Sequence, residues 1–249
     1  AITDGDSNVA VGSSAGKAIT TGIKNIAIGL ETLDALTTGS QNIAIGAHAM
    51  GSADGGEIRN IAIGDGALFD LADAGGANAS DYNVAVGHEA GTNATTAASC
   101  VFIGHNAAHG NDSTAMTSDG IVAVGASALE SITTGGSNVA VGFEAGRAIT
   151  DAAEVTAIGY QASEDNTGAD GWTCIGYQAG QSLATDQNGV AIGNGALRDG
   201  TAGTNTIGIG VYAGLNNTAA NATYIGASAG QSNIGGLLNV FVGSGAGKF

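Results

Sequence analysis

Proline is absent from the 249 residues, and lysine and arginine together number six against 22 aspartates and glutamates. The net charge of −16 excludes the basic surface that nucleic acid or an anionic lipid headgroup would require. Aromatic residues make up 4% of the chain, so a core of large interlocking side chains is excluded as well. There is no apolar run of the roughly 18 residues needed to span a bilayer, so no direct membrane insertion is expected. The two cysteines, Cys100 and Cys174, fall four repeats apart and predict small buried hydrophobes rather than a disulfide. What is abundant is glycine, at 44 residues, together with alanine and β-branched side chains. Such a chain gains stability from many small, regular contacts, and its mean hydropathy of +0.18 argues against disorder.

These residues are arranged periodically. Asn8-Val9-Ala10-Val11-Gly12 returns as Asn25-Ile26-Ala27-Ile28-Gly29 and Asn42-Ile43-Ala44-Ile45-Gly46, and it persists to Asn239-Val240-Phe241-Val242-Gly243. With the closing glycine as the marker there are fourteen copies. Nine of the thirteen steps between them are 17 residues, and the others are 16, 18, 21 and 23. A period held this tightly predicts stacked repeats over residues 1–249 as one continuous domain. The predicted fold is an all-β parallel β-solenoid, or β-roll, of about fourteen 17-residue coils with two short strands per coil. The first strand is the alternating Asn-φ-Ala-φ-Gly segment, where φ is Val or Ile. The φ residues are expected inside the coil, and the alanine is expected against another sheet or chain. The second strand is expected around Ala15, Ala49 and Ala67, and glycines such as Gly22 and Gly39 close polar turns.

The leading asparagines, Asn8, Asn25, Asn42, Asn60, Asn83, Asn138 and Asn239, predict a structural ladder, since stacked Asn side chains hydrogen-bond along a coil axis. Two units are longer than the rest, and the insertions at 69–82 and 105–120 predict loops at one edge of the stack. They make Asp70, Asp73, Asn78, Asp81, His109, Asn111, Asp112 and Asp119 the candidate contact residues for a surface receptor or glycan. His88 and His105 follow the marker glycines of neighbouring units and are weak metal candidates. The spacing points to no catalytic, cofactor-binding or firm metal residues and to no cofactor. Gly12-Ser13-Ser14-Ala15-Gly16-Lys17-Ala18 lacks both the spacing and the hydroxyl of a phosphate loop. Enzymatic activity is not expected.

The first residues match the second half of a repeat and the last residues match the first half. Ala1, Ile2 and Thr3 at one end, and Ala246, Gly247, Lys248 and Phe249 at the other, are therefore expected to join more solenoid. Uncapped coil edges template pairing.

The Asn-Val-Ala-Val-Gly-x-x-Ala-Gly unit of Asn8 to Gly16, recurring through Asn239 to Gly247, resembles the head repeats of trimeric autotransporter adhesins (YadA-like heads) and related bacteriophage tail-fibre repeats. That resemblance implies a left-handed parallel β-roll packed as a lateral homotrimer. The reading that follows is a non-enzymatic structural protein of an extracellular fibre or filament, continued end to end. The alternative is a surface-binding adhesin or tail-fibre module acting as a trimer. A monomeric ice-binding solenoid is more remote, because the Thr20-Thr21 and Thr37-Thr38 column fails at Ala53.

Overall fold

A computed structural model describes residues 5–72, 80–111, 114–183, 187–199, 203–234 and 236–248. The chain divides into two compact units, Ala1–Thr134 and Gly135–Phe249. Both are parallel β-solenoids, and no helix occurs among the described residues. The first unit holds β1 (Val9–Val11), β2 (Ile26–Ile28), β3 (Ile43–Ile45), β4 (Ile61–Ile63), β5 (Val84–Val86), β6 (Val101–Ile103) and β7 (Val122–Val124). The second holds β8 (Val139–Val141), β9 (Thr156–Ile158), β10 (Trp172–Ile175), β11 (Gly189–Ile192), β12 (Thr206–Ile209), β13 (Thr223–Ile225) and β14 (Val240–Val242). Within a unit each strand pairs in parallel with the equivalent strand of the next coil. Equivalent residues face one another, as in Ile26↔Ile43, Ala27↔Ala44 and Ile28↔Ile45.

The strand faces are reversed from the expectation. Ala27, Ala44, Ala62, Ala85 and Ala123 are fully buried, whereas Ile28 and Ile63 are 37% exposed. The alanines point into the coil and the β-branched residues point out. The reason is the width of the coil interior. Opposite each strand lies a turn segment whose own side chains, among them Leu33, Met50, Leu68 and Leu129, are fully buried and fill the remaining space. Close packing leaves room for little more than a methyl group on the strand side. Exceptions follow the same rule. Where Phe102 or Tyr224 takes the alanine position, the residue across the coil is glycine. A Cβ on Gly91 would lie 2.5 Å from the Phe102 ring, and one on Gly230 would lie 2.2 Å from the Tyr224 ring.

Among the described residues each coil contains one strand rather than two. The segment after the marker glycine is a run of turns, because residues in it alternate into the left-handed region: Glu31 and Leu33, His48 and Met50, Ser127 and Leu129 have φ between 49° and 56°. Each such residue costs roughly 1 kcal/mol. The cost is offset by backbone bonds between coils, such as Gly16 N–H to Thr32 O at 2.9 Å and Met50 N–H to Ala67 O at 2.9 Å. The marker glycine itself is fixed sterically. Gly46 has φ +136°, and a Cβ there would lie 2.3 Å from the Gly64 carbonyl oxygen of the next coil.

Candidate functional site

The asparagine column lies in the interior, not on a binding face. Asn25, Asn42, Asn60, Asn83 and Asn138 are fully buried, and Asn8 and Asn239 are half-buried. The Asn42 amide donates to Glu57 O at 2.7 Å, and its Oδ1 accepts the Asn60 N–H at 3.0 Å. Asn60 Oδ1 accepts the Asn83 N–H at 2.9 Å, and Asn83 Oδ1 accepts the Cys100 N–H at 3.0 Å. Each side chain therefore closes a turn and holds the next coil. Cys100 takes over the column at β6, with its sulfur accepting the Ile121 N–H at 3.4 Å. Burial pushes the Cys100 thiol up to about 11 and the Cys174 thiol up to about 12, so both are protonated at neutral pH.

The insertion residues divide. Asp73, Asn78 and Asp112 lie outside the described residues. Asp81 is buried and its Oδ1 accepts the Ile58 N–H at 2.7 Å, while Asp119 Oδ1 accepts the Ala98 N–H at 2.9 Å. Asp170 does the same for Ala153 at 2.8 Å. These carboxylates sit two residues before the asparagine column and clip one coil to its predecessor. Asp70 is half-buried, and its N–H donates to Thr92 O at 2.9 Å. Asn111 bridges to Thr114. Each insertion is anchored by buried residues, Leu71 and Ser80 in the first and Met116 and Ser118 in the second, while Asn111, Thr114, Thr117 and Asp119 are exposed.

His88 and His105 stack at 5.3 Å between ring centroids. His88 Nδ1 lies 3.7 Å and His109 Nε2 3.8 Å from Glu89 Oε2. Among the described residues no group of three or more His, Cys, Asp or Glu side chains is arranged to hold a metal ion. Of the terminal residues, Ala1, Ile2, Thr3 and Phe249 lie outside the described set. Ala246 O accepts the Gly230 N–H at 2.8 Å, Gly247 seats against the Phe241 ring, and Lys248 is exposed.

Three surface features escaped the sequence reading. The first is the outward apolar face. In the first unit Val9, Val11, Ile28, Ile63 and Ile103 are exposed large hydrophobics, and in the second Ile158, Ile175 and Ile225 are. The second is an aromatic ladder, Phe143–Tyr160–Tyr177, with centroid spacings of 5.5 and 5.2 Å. Beside it, Gln161 donates to Glu144 at 2.7 Å and Gln178 donates to Gln161 at 2.9 Å. Its signal in the sequence was an aromatic directly after three successive marker glycines. The third is a cleft of about 280 Å³ lined by His48, Asp65, Gly66, Phe69, Glu89 and Thr92. No helix among the described residues is long and apolar enough to cross a membrane. No protein-family model, curated protein or solved structure matches the chain.

Proposed function

We propose that this chain is a non-enzymatic structural protein of an extracellular fibre, built from copies of itself packed side by side along the outward β face. The observation that carries this reading is the apolar character of that face. Ile28, Ile63 and Ile103 stand 37–39% exposed on strands whose central residues, Ala27, Ala62 and Phe102, are buried. Strands repeat at about 4.8 Å, so each unit presents a stacked outward band of Val and Ile, joined in the second unit by Thr156, Thr173 and Thr223. Monomeric proteins rarely leave a contiguous apolar patch of more than a few hundred Å² open to water. The resemblance of the repeat to trimeric adhesin heads and tail fibres supports the same arrangement, now with Val and Ile rather than alanine between chains. In an adhesin or tail fibre of this kind, a cell-surface receptor or glycan is the further partner, and nucleic acid is not.

Mass photometry tests it. A particle near three times 23.9 kDa is expected. Ile28→Lys combined with Ile63→Lys is expected to yield the single chain with an unchanged circular-dichroism spectrum. A wild-type chain that stays monomeric at micromolar concentration refutes lateral packing.

End-to-end continuation is favoured by a separate observation. On the last coil Ile234, Leu237, Leu238, Val240 and Val242 are 65–77% exposed, far above equivalent residues of inner coils. A coil of a second copy laid on β14 would cover them. Negative-stain images with unbranched rods of variable length would support it, and discrete particles of one length would count against it. The ice-binding alternative fares less well, since the outward columns are mainly Val and Ile. A thermal-hysteresis assay decides it.

A further inference from the structure

The cleft in the first unit is a missing rung. Along the outward column of left-handed residues, Glu31, His48, Glu89 and Asn106 project side chains, but between His48 and Glu89 the position is Gly66, with φ +66°. A Cβ at Gly66 would reach within 3.3 Å of Glu89 Cγ and begin to fill the space. The opening of about 280 Å³ falls just below the range of sites for drug-sized ligands and suits a single small group. One wall is the Phe69 ring, which lies over Gly51, where an added Cβ would meet it at 2.9 Å. His48 stands edge-on to that ring at 6.3 Å between centroids.

The polar groups at the rim are mostly acceptors. Asp65 is exposed and has no ion-pair partner among the described residues. Among the described residues the ion-pair partners of Glu89 are imidazoles, at 3.7 and 3.8 Å. Thr92 donates its hydroxyl proton to Gly66 O at 3.0 Å, so it offers the cleft an acceptor. An apolar aromatic wall beneath two carboxylates matches an amphipathic cation, whose stem lies on the ring while its head meets the acids. A neutral sugar also gives hydroxyl protons to carboxylates, but only a cation gains from the charge of both.

We infer that this cleft binds a primary alkylammonium group, the lysine side chain of a partner polypeptide, through Asp65 and Glu89 with the stem on Phe69. The site does not rest on the fibre reading, because every residue of it belongs to one chain.

The test is a ligand-observed NMR titration of the full chain with Nα-acetyl-lysine methylamide. Saturable binding is expected, weakened about tenfold by Glu89→Gln or Asp65→Asn, because each removes one charge-assisted contact. Asp151→Asn, at an exposed carboxylate that belongs to the second unit and does not line the cleft, is expected to change nothing. Thermal melts of the same samples establish that each variant is folded, and mass photometry reads assembly separately. The inference is overturned if the Nε-acetylated compound binds equally well, if Asp151→Asn weakens binding as much as Glu89→Gln, or if glucose, which carries no charge, binds in its place.

Discussion

Asn42 offers the sharpest test of the ladder that holds the coils together. Its side chain is fully buried and serves three neighbours, donating to Glu57 O at 2.7 Å and to Asn25 Oδ1 at 3.1 Å and accepting from Asn60 N–H at 3.0 Å. Asn42→Ala removes all three, although Asn25 Oδ1 keeps the Asn42 N–H at 3.0 Å. The Glu57 carbonyl still accepts the Ser40 N–H at 3.2 Å, so its loss is partial. The Asn60 N–H loses its acceptor in the interior, where an orphaned donor costs about 1–3 kcal/mol, and the second bond adds about 1 kcal/mol. The sum is about 2–4 kcal/mol. At about 2–4 °C per kcal/mol for a domain of this size, Tm should fall by about 4–16 °C. Asn8 makes the same two kinds of contact, to Gly22 O at 2.8 Å and from Asn25 N–H at 2.8 Å, but it sits half-buried on the first coil. Water can replace its bonds there, so Asn8→Ala should cost about 1 kcal/mol or less. Melts followed by circular dichroism on the two variants give the comparison. If Asn42→Ala melts within a degree of wild type, or if Asn8→Ala costs as much, buried hydrogen bonding is not what ties the coils.

Gly46→Ala should prevent the full chain from folding, since its Cβ would collide with the Gly64 carbonyl at 2.3 Å, while Gly120→Ala, at φ +67° with open space around it, should cost only about 1 kcal/mol; soluble yield and Tm compare them. Cys100 and Cys174 should resist Ellman's reagent at pH 8 until the protein is unfolded. Because both thiols titrate higher in the fold than in the unfolded chain, their contribution is complete below about pH 9. It is lost as pH rises through about 11 and 12, so Tm should fall across that window and Cys174→Ala should flatten the fall. Trp172 is fully buried over Gly189, so Trp172→Ala should cost about 3–5 kcal/mol, and the sole tryptophan's emission should shift to the red on unfolding of the second unit.

Much of this architecture was legible in the chain because its causes are local and repeated. A marker glycine every 17 residues records a backbone site that no side chain can occupy. Asparagines such as Asn25, Asn42, Asn60 and Asn83, each directly before its strand, record a side-chain hydrogen bond that ties one coil to the next. From these the parallel stack, its period and the position of each strand could be read without coordinates. Which face of the strand lies inside could not be read. Both faces of Val-Ala-Val are apolar, so alternation alone leaves two solutions. The choice is made by the width of the coil, set by the leucines and methionines that fill it from the opposite side, and that width excludes everything larger than alanine unless glycine stands across from it. The second half of each coil was hidden for a related reason. Residues such as Leu33 and Met50 accept a left-handed backbone because bonds to the neighbouring coil offset its cost, and those bonds exist only once the coils are stacked. The Gly66 cleft is likewise a product of stacking: a glycine that in the sequence looks like any other becomes a gap only when His48 and Glu89 are laid above and below it.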